Sequence, residues 1–557
     1  MGTAMNKIKV FRAKKIHTMD EGRPAAEAVA VVDGRVLSTG TIESMQPWLK
    51  RYPHEIDDTF IDKTILPGFI DPHTHFAISS AYLALHYIGP IESPGPEGIN
   101  PGLATRAEVM AKLRSVDRSE KDPHAPLIAW GLDPACQGGH LHRDELDEIS
   151  TERPIWVISY APHFIYLNSA AIARTGASET TNVHGILRYA DGRLNGQFVE
   201  IEAQRVALGA MRAEIAKRGG EDGLRRMGAI ACKAGITTTA ELIFGKADFD
   251  IEWALHAKVV PEDSFPVRMG LVPLEGRLVD KHGAGAAQFL LDAAARNNSD
   301  KLFFHGVKFM SDGSFPAMSL RLNFPGYLDG GNGLRNDIPW EEFHERMLPF
   351  WKAGVQIHCH ANGDEAVDAS LNALAKLQAI HPRFDHRFTL EHYCISRPDQ
   401  ARRLKSLGGL ASVNIYFVHY RGQLHSEQGF GPDRSEAIAR LGSLEREGVV
   451  FALHSDYSLV LVPLHPLTAA WIAVNRVALD GKSVLAPGER IGVHRALRAI
   501  TIDAAYVLGM EQKIGSLEPG KFADFTILEQ DPFEVAPAAL KDIPIWGTVL
   551  GGRPHPA

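Results

Sequence analysis

The sequence predicts an α/β protein: a (β/α)8 TIM barrel, a small β-sandwich assembled from both chain ends, and a large insertion after the first barrel strand. Three observations carry this expectation. Short runs nearly continuous in Val, Ile, Leu and Phe recur along the chain, as expected of parallel strands buried on both faces. Helix-like stretches such as 364–379 and 398–407 lie between several of them. Histidines, a lysine and an aspartate stand at the ends of the runs, where barrel enzymes carry their chemistry.

Taken in order, the N-terminal stretch from Lys9 to Leu66 holds β-like pieces at Ala28–Val32 and Arg35–Ser38, separated by the turn signal Asp33-Gly34. Strand patterns return at Phe522–Leu528 and Ile545–Leu550, the latter followed by Gly551-Gly552. The two ends, residues 1–65 and 501–557, are therefore expected to pair into one sandwich. Between them, the runs Leu66–His73, Gly235–Leu242, Phe265–Val272, Phe303–Asp312, Val355–Asn362, Arg387–Cys394, Leu410–Phe417 and Val449–Asp456 make the eight barrel strands within residues 66–500. The interval from Phe76 to Ala234, about 160 residues, is far too long for a βα loop and implies an inserted subdomain at about 90–210. That insertion contains strand-like Leu127–Trp130 and Pro154–Tyr160 and helix-like stretches after Arg106 and Ser169, and is expected to cover the barrel mouth.

Composition narrows the function. The 557 residues are 45% hydrophobic and 23% charged, and 59 Lys+Arg against 67 Asp+Glu leave a net charge of −8, which does not favour nucleic acid. Cys136, Cys232, Cys359 and Cys394 are widely spaced and form no C-x-x-C pair, so reduced thiols in a cytoplasm are expected. The N-terminal residues lack the apolar core of a secretory signal, and no apolar run approaches the roughly 18 residues of a membrane span. A cytoplasmic enzyme for a small molecule, working as a homodimer without nucleic-acid or membrane partners, is the expectation.

The candidate site follows from strand geometry. Residues i and i+2 of a strand share a face, so His73 and His75 project toward one point at the first strand's carboxyl end, and imidazole is a usual zinc ligand. An H-x-H pair alone is also common on exposed polar surface. His360 and His392 favour the metal reading, because each closes its own apolar run, Val355-Gln356-Ile357-His358-Cys359-His360 and Phe388-Thr389-Leu390-Glu391-His392. His358 and His454 fall one layer deeper and take no ligand role, Cys359 points away as packing, and Cys394 shares a face with His392. Asp456 ends a strand that would tolerate a carboxylate only beside a cation or hydrogen bonds, and there it could shuttle a proton from attacking water to a leaving group. Lys308 sits inside a strand where an unpaired ammonium is costly. It is either a carbamate bridging two metal ions or a lysine paired with Asp312 four residues on, and spacing leaves both open.

These motifs resemble the metal-dependent amidohydrolase superfamily, specifically amidohydrolase family 3, the branch that includes N-substituted formamide deformylase. The resemblance spans almost the whole chain. It rests on Leu66-Pro67-Gly68-Phe69-Ile70-Asp71-Pro72-His73-Thr74-His75, Val307-Lys308 through Ser314, His358 through Asp364, Glu391-His392 and Ser455-Asp456. Arg143–Asp147 and Pro162–Ala170 in the insertion, and Gly515–Asp524 in the tail, add to it. It implies a zinc-type divalent metal centre in which His73 and His75 hold the more buried ion and carboxylated Lys308 bridges to a second ion on His360 and His392. Asp456 would bind the first ion and serve as acid/base, and the activity would be hydrolysis of an amide-type C–N bond by a metal-activated hydroxide. The same site could serve deamination or ester hydrolysis. A non-catalytic scaffold of this fold would be expected to have replaced ligands, and here none is replaced. The chain departs from the branch at Phe315-Pro316-Ala317-Met318-Ser319, where a Gly-Ser-Arg type stretch is usual, and at Pro162, which precedes His163 in place of glycine. His163, Asp312 and Trp130 are the candidate substrate contacts.

Overall fold

The computed structural model describes residues 7–95, 98–160, 164–211, 214–215, 219–246, 248–335, 338–435, 437–460 and 462–557. The chain divides into two compact units, one of Met1–Thr74, Gly228–Asp456 and Leu464–Ala557, the other of His75–Met227 and Tyr457–Pro463.

The first unit is organised around parallel strands: β1 (Phe69–Thr74), β2 (Ile236–Phe244), β3 (Arg268–Pro273), β4 (Leu302–Phe304), β5 (Val307–Met310), β6 (Ile357–Ala361), β7 (Thr389–His392), β8 (Leu410–Val413) and β9 (Phe451–Leu453). They form a four-stranded sheet in the order β4-β3-β2-β1 and a five-stranded sheet in the order β5-β6-β7-β8-β9. A parallel bridge between Leu274 and Lys308 joins the sheets at one edge. At the other, the Asp456 N–H donates to the His73 carbonyl at 3.0 Å, tying the segment after β9 to β1. Every residue of β1, β2 and β3 is buried, as expected of strands covered on both faces, and that includes the polar residues Asp71, His73, Thr239, Glu241 and Arg268.

Three runs differ from their sequence bounds for identifiable reasons. The run Leu66–His73 serves two sheets: Leu66 and Pro67 end a long strand, His54–Pro67, in the terminal sheet, and β1 begins at Phe69. Gly68 is the crossing point, where a Cβ would collide with the Thr237 side chain. The run Phe303–Asp312 is broken at His305-Gly306, with Gly306 at φ +70°, so β4 pairs with β3 while β5 pairs with β6. The run Leu410–Phe417 overshoots, because Tyr416 and Phe417 open the helix Tyr416–His425.

The helices follow ordinary rules. Asp364–Ile380 starts with two acidic residues where the helix dipole favours them, and buries Val367, Ser370, Leu371, Leu374 and Leu377 at three- and four-residue spacing. Pro398–Ser406 begins on a proline whose missing N–H costs nothing in the first turn.

Both chain ends meet in a seven-stranded sheet, in the order Arg553–Pro556, Ile545–Leu550, Phe525–Leu528, His54–Pro67, Ile8–His17, Ala25–Val32 and Arg35–Gly40. Asp33 (φ 52°) and Gly34 (φ 74°) make the two-residue hairpin between its last two strands, a turn that needs two left-handed residues. Phe11, Phe60, Ile65, Phe525 and Val549 pack together in one of its clusters. Helix Ile42–Leu49, started by a Thr41–Ser44 capping box, packs Met45 and Leu49 with Ile8, Val10, Ala28 and Ala30 in another. A buried bidentate pair, Arg268 Nε to Asp524 at 2.6 Å and its terminal nitrogen at 3.0 Å, ties β3 to the tail.

The second unit holds a six-stranded sheet in the order Ile186–Arg188, Leu194–Val199, Phe164–Leu167, Ile155–Ser159, Leu127–Leu132 and His86–Tyr87. Helix Arg106–Ser119, capped reciprocally by Thr105 and Glu108, packs Val109 and Leu113 with Leu127, Ala129, Ile155 and Val157. Among the described residues no helix is long and apolar enough to cross a membrane.

Candidate metal centre

Within the first unit, the carboxyl ends of the parallel strands gather a buried group of imidazoles and carboxylates. His73, near the end of β1, His392, closing β7, and His454, just past β9, each offer a ring nitrogen, and these atoms lie within 4.8 Å of one another. His73 Nε2 is 3.4 Å from Asp456 Oδ1, and His392 Nδ1 is 3.8 Å from Asp456 Oδ2. The His360 ring, on β6, stands 4.5 Å from that of His392, edge to face. His454 stacks on His73 at 4.4 Å.

Backbone strain brings these groups inward. His392 and Asp456 are non-glycine residues at positive φ, 74° and 59°, a conformation that costs free energy and persists only where the surroundings hold it. Asp71 helps: its carboxylate accepts the Ser455 N–H at 3.2 Å on both oxygens and the His73 N–H at 3.3 Å, locking β1 to the segment that presents Asp456.

Electrostatically, the site favours neutral imidazole, the form that binds metal. Burial, then the nearby His360, His73 and Lys308, hold His392 well below the usual histidine range. Burial and Lys308 bring His360 down to about 4. Glu391 goes the other way: burial pushes its carboxyl up, but the His358 hydrogen bond and the Lys308 charge outweigh it and leave it near 2.

Lys308 lies on β5, 1% exposed, and its Nζ has no hydrogen-bond partner among the described residues. Burial lowers its pKa against the opposing pull of Glu391 and Asp456. Pairing with Asp312 is not what the structure contains. The Asp312 carboxylate is taken by the backbone N–H groups of Asn362 (3.0 Å), Gly363 (2.9 Å) and Arg321 (3.0 Å), and His360 Nε2 stands 3.5 Å away. Burial nonetheless pushes Asp312 up to about 7.

The other sequence candidates fall as follows. His75, two residues past His73, opens the second unit; it is buried, and its backbone N–H donates to the Tyr457 carbonyl at 2.7 Å. Trp130, also in the second unit, is 2% exposed and packs against the Tyr82 and Tyr87 rings at 5.2 and 5.1 Å. His163 lies outside the described residues. Cys359 contacts the Ser370 hydroxyl at 3.3 Å, and burial pushes its thiol up to about 12. Cys394 Sγ donates to Asn362 Oδ1 at 3.0 Å.

Two residues given no role in the sequence stand inside the site. His454 shares a face with Asp456, and that i, i+2 relation was the signal for it. Glu391 receives His73 Nδ1 and His358 Nδ1, each at 2.7 Å. Its signal was weaker: a carboxylate closing an apolar run needs a partner. A divalent cation fits what is present, namely several imidazole nitrogens, one carboxylate facing them and a buried amine without a hydrogen-bond partner among the described residues.

Comparison with known proteins agrees. A model of the amidohydrolase family matches residues 62–555. Protein LONG AFTER FAR-RED 3 of Arabidopsis thaliana is 26% identical over 558 residues, 97% of this chain and 90% of that protein. N-substituted formamide deformylase of Arthrobacter pascens is 24% identical over 576 residues, 99% of this chain and 98% of the enzyme. Among solved structures, a metal-dependent hydrolase from Pyrococcus horikoshii superposes with a TM-score of 0.72 at 19% identity, covering 95% of this chain and 99% of its own, so the two share a TIM-barrel-type α/β fold.

Proposed function

The chain belongs to the amidohydrolase family, and from that premise we propose that it is a metal-dependent hydrolase that cleaves an amide-type C–N bond of a small molecule. The observation that carries the reading is the buried cluster of His73, His392 and His454 facing Asp456 at the strand ends. Relatives supply the bond type: one is a deformylase of N-substituted formamides.

In this reading His73, His75, His360, His392, Asp456 and Lys308 would hold the metal, with zinc suited to the nitrogen and oxygen donors. A divalent ion there supplies Lewis acidity and makes water a usable nucleophile near neutral pH. Lys308, buried and without a hydrogen-bond partner among the described residues, can add through its neutral amine to carbon dioxide, losing one proton to give a carbamate whose two oxygens would suffice to hold two ions. Asp456 accepts a proton from the attacking water and returns it to the departing nitrogen, so the amine leaves neutral. Asp71, through the Ser455 and His73 backbones, keeps that carboxylate opposite the imidazoles. The finer architecture belongs to the same proposal: β4 and β5 act as one interrupted strand, and the parallel strands close as an eight-stranded barrel carrying the insertion.

The test is metal content by elemental analysis of protein purified without chelator and with bicarbonate present, alongside a screen of amides and N-formyl amines. About two ions per chain and chelator-sensitive amide hydrolysis are expected for a bridged pair of ions. Metal-free protein that still turns over an amide refutes the proposal, as does loaded protein that turns over no amide but cleaves an ester or deaminates.

A further inference from the structure

We propose that Glu391 is a positioning residue for the metal centre: its carboxylate fixes the protonation pattern of His73 so that Nε2, and not Nδ1, is presented to the ion. The inference deepens the function proposed above and rests on it.

The carboxylate is fully buried and bonded on both oxygens, Oε2 to His73 Nδ1 and Oε1 to His358 Nδ1, each at 2.7 Å. An ionised carboxylate only accepts hydrogen bonds, so each Nδ1 must carry the proton. In a neutral imidazole that leaves the lone pair on Nε2. For His73 this nitrogen is the one 3.4 Å from Asp456. For His358 it lies on the opposite side, toward Gly306, where a Cβ would come within 3.2 Å of it. One carboxylate therefore makes a ligand of one histidine and a strut of the other. Strand geometry supports the assignment, since Glu391 is paired in register with His360 on β6 and reaches β1 through His73. A carboxylate behind a ligating histidine orients the ring and strengthens it as a donor.

The variants are Glu391→Gln and Glu391→Asp. The amide can accept from one histidine only by turning its N–H2 toward the other, so one of the two imidazoles must adopt the opposite tautomer. The readouts are zinc affinity, by competition with a chromophoric chelator, and the visible spectrum of the cobalt-substituted protein. Circular dichroism of the metal-free forms monitors the fold. Glu391→Gln is expected to lose about 10–100-fold in affinity and to shift the cobalt spectrum with the fold retained. Glu391→Asp, which keeps the charge, should lose less. Should Glu391→Gln not fold, low-field imidazole N–H resonances of the metal-free wild type decide: two from the rings bonded to Glu391 are expected beside those of other hydrogen-bonded histidines such as His17 and His256, and one of the two is lost in His358→Gln. Unchanged affinity and spectrum in folded Glu391→Gln, or absence of those resonances, overturns the inference. Wild-type protein that binds no metal overturns the proposed function instead.

Discussion

Replacing His425 by phenylalanine should make the protein less sensitive to acid, by an amount the structure sets. His425 is fully buried, stacked on Phe315 at 4.6 Å and edge-on to Phe430 at 5.5 Å, and neither ring nitrogen has a hydrogen-bond partner among the described residues. Burial, aided by Arg421, lowers its pKa to about 3. The folded state thus resists a proton that the unfolded chain takes up near pH 6.5. The stability contributed by the neutral ring is present above that value and lost as pH falls from about 6.5 toward 3. At pH 5 the unfolded chain is some 1.5 units below its pKa while the folded ring is still neutral, a loss of about 2 kcal/mol at 1.36 kcal/mol per unit. Phenylalanine fits the same stack and does not titrate. Urea midpoints of wild type and His425→Phe at pH 8 and pH 5, with equal slopes, give the difference directly. The variant should gain about 2 kcal/mol on the wild type between the two values. A gap between variant and wild type that is the same at both pH values would refute the argument.

Three further outcomes are expected. Arg268→Met, which strands the buried Asp524 carboxylate now bonded at 2.6 and 3.0 Å, should cost about 3–5 kcal/mol in denaturant unfolding, while replacing both partners by apolar residues should cost far less. Gly306→Ala forces a side chain onto φ +70° with its Cβ 2.9 Å from the Gln356 carbonyl and the His358 ring. It should lose at least the roughly 1–2 kcal/mol of a left-handed alanine, measured as a lower urea midpoint. Asp456→Asn should lower kcat about 10²–10⁴-fold in any amide assay that detects the wild type, the range expected for removal of a general acid/base, with elemental analysis measuring how much of the loss comes from weakened metal binding.

Much of the scaffold was legible because parallel strands covered on both faces leave short apolar runs, as at Leu302–Phe304 and Phe451–Leu453. What escaped was where such a run changes partners. The dipeptide Pro67-Gly68, a turn signal inside Leu66–His73, stands where the chain leaves one sheet and joins another at Phe69, and the crowding at Gly68 leaves no room for a side chain there. The break at His305-Gly306 is similar, a left-handed glycine inside an apolar stretch that reads as one strand.

The site was legible to the extent that strand alternation held. Counting by twos places His358 beneath His360 and puts Cys359 on the other side, and the side chains lie accordingly, with His358 on Glu391 and Cys359 on the helix residue Ser370. The same counting assigns Glu391 and His392 to opposite faces, and there it fails. His392 and Tyr393 take φ of 74° and 47°, which turns the chain so that consecutive residues both reach the centre. Glu391 meets His73, while the His392 ring lies 4.7 Å from the His73 ring and 4.5 Å from His360. A left-handed pair without glycine has no sequence signature, because its cost is repaid by contacts with residues hundreds of positions away. The residue hidden by that turn is the one proposed to set which nitrogen His73 offers, so the least legible backbone in the first unit would control its most legible candidate ligand.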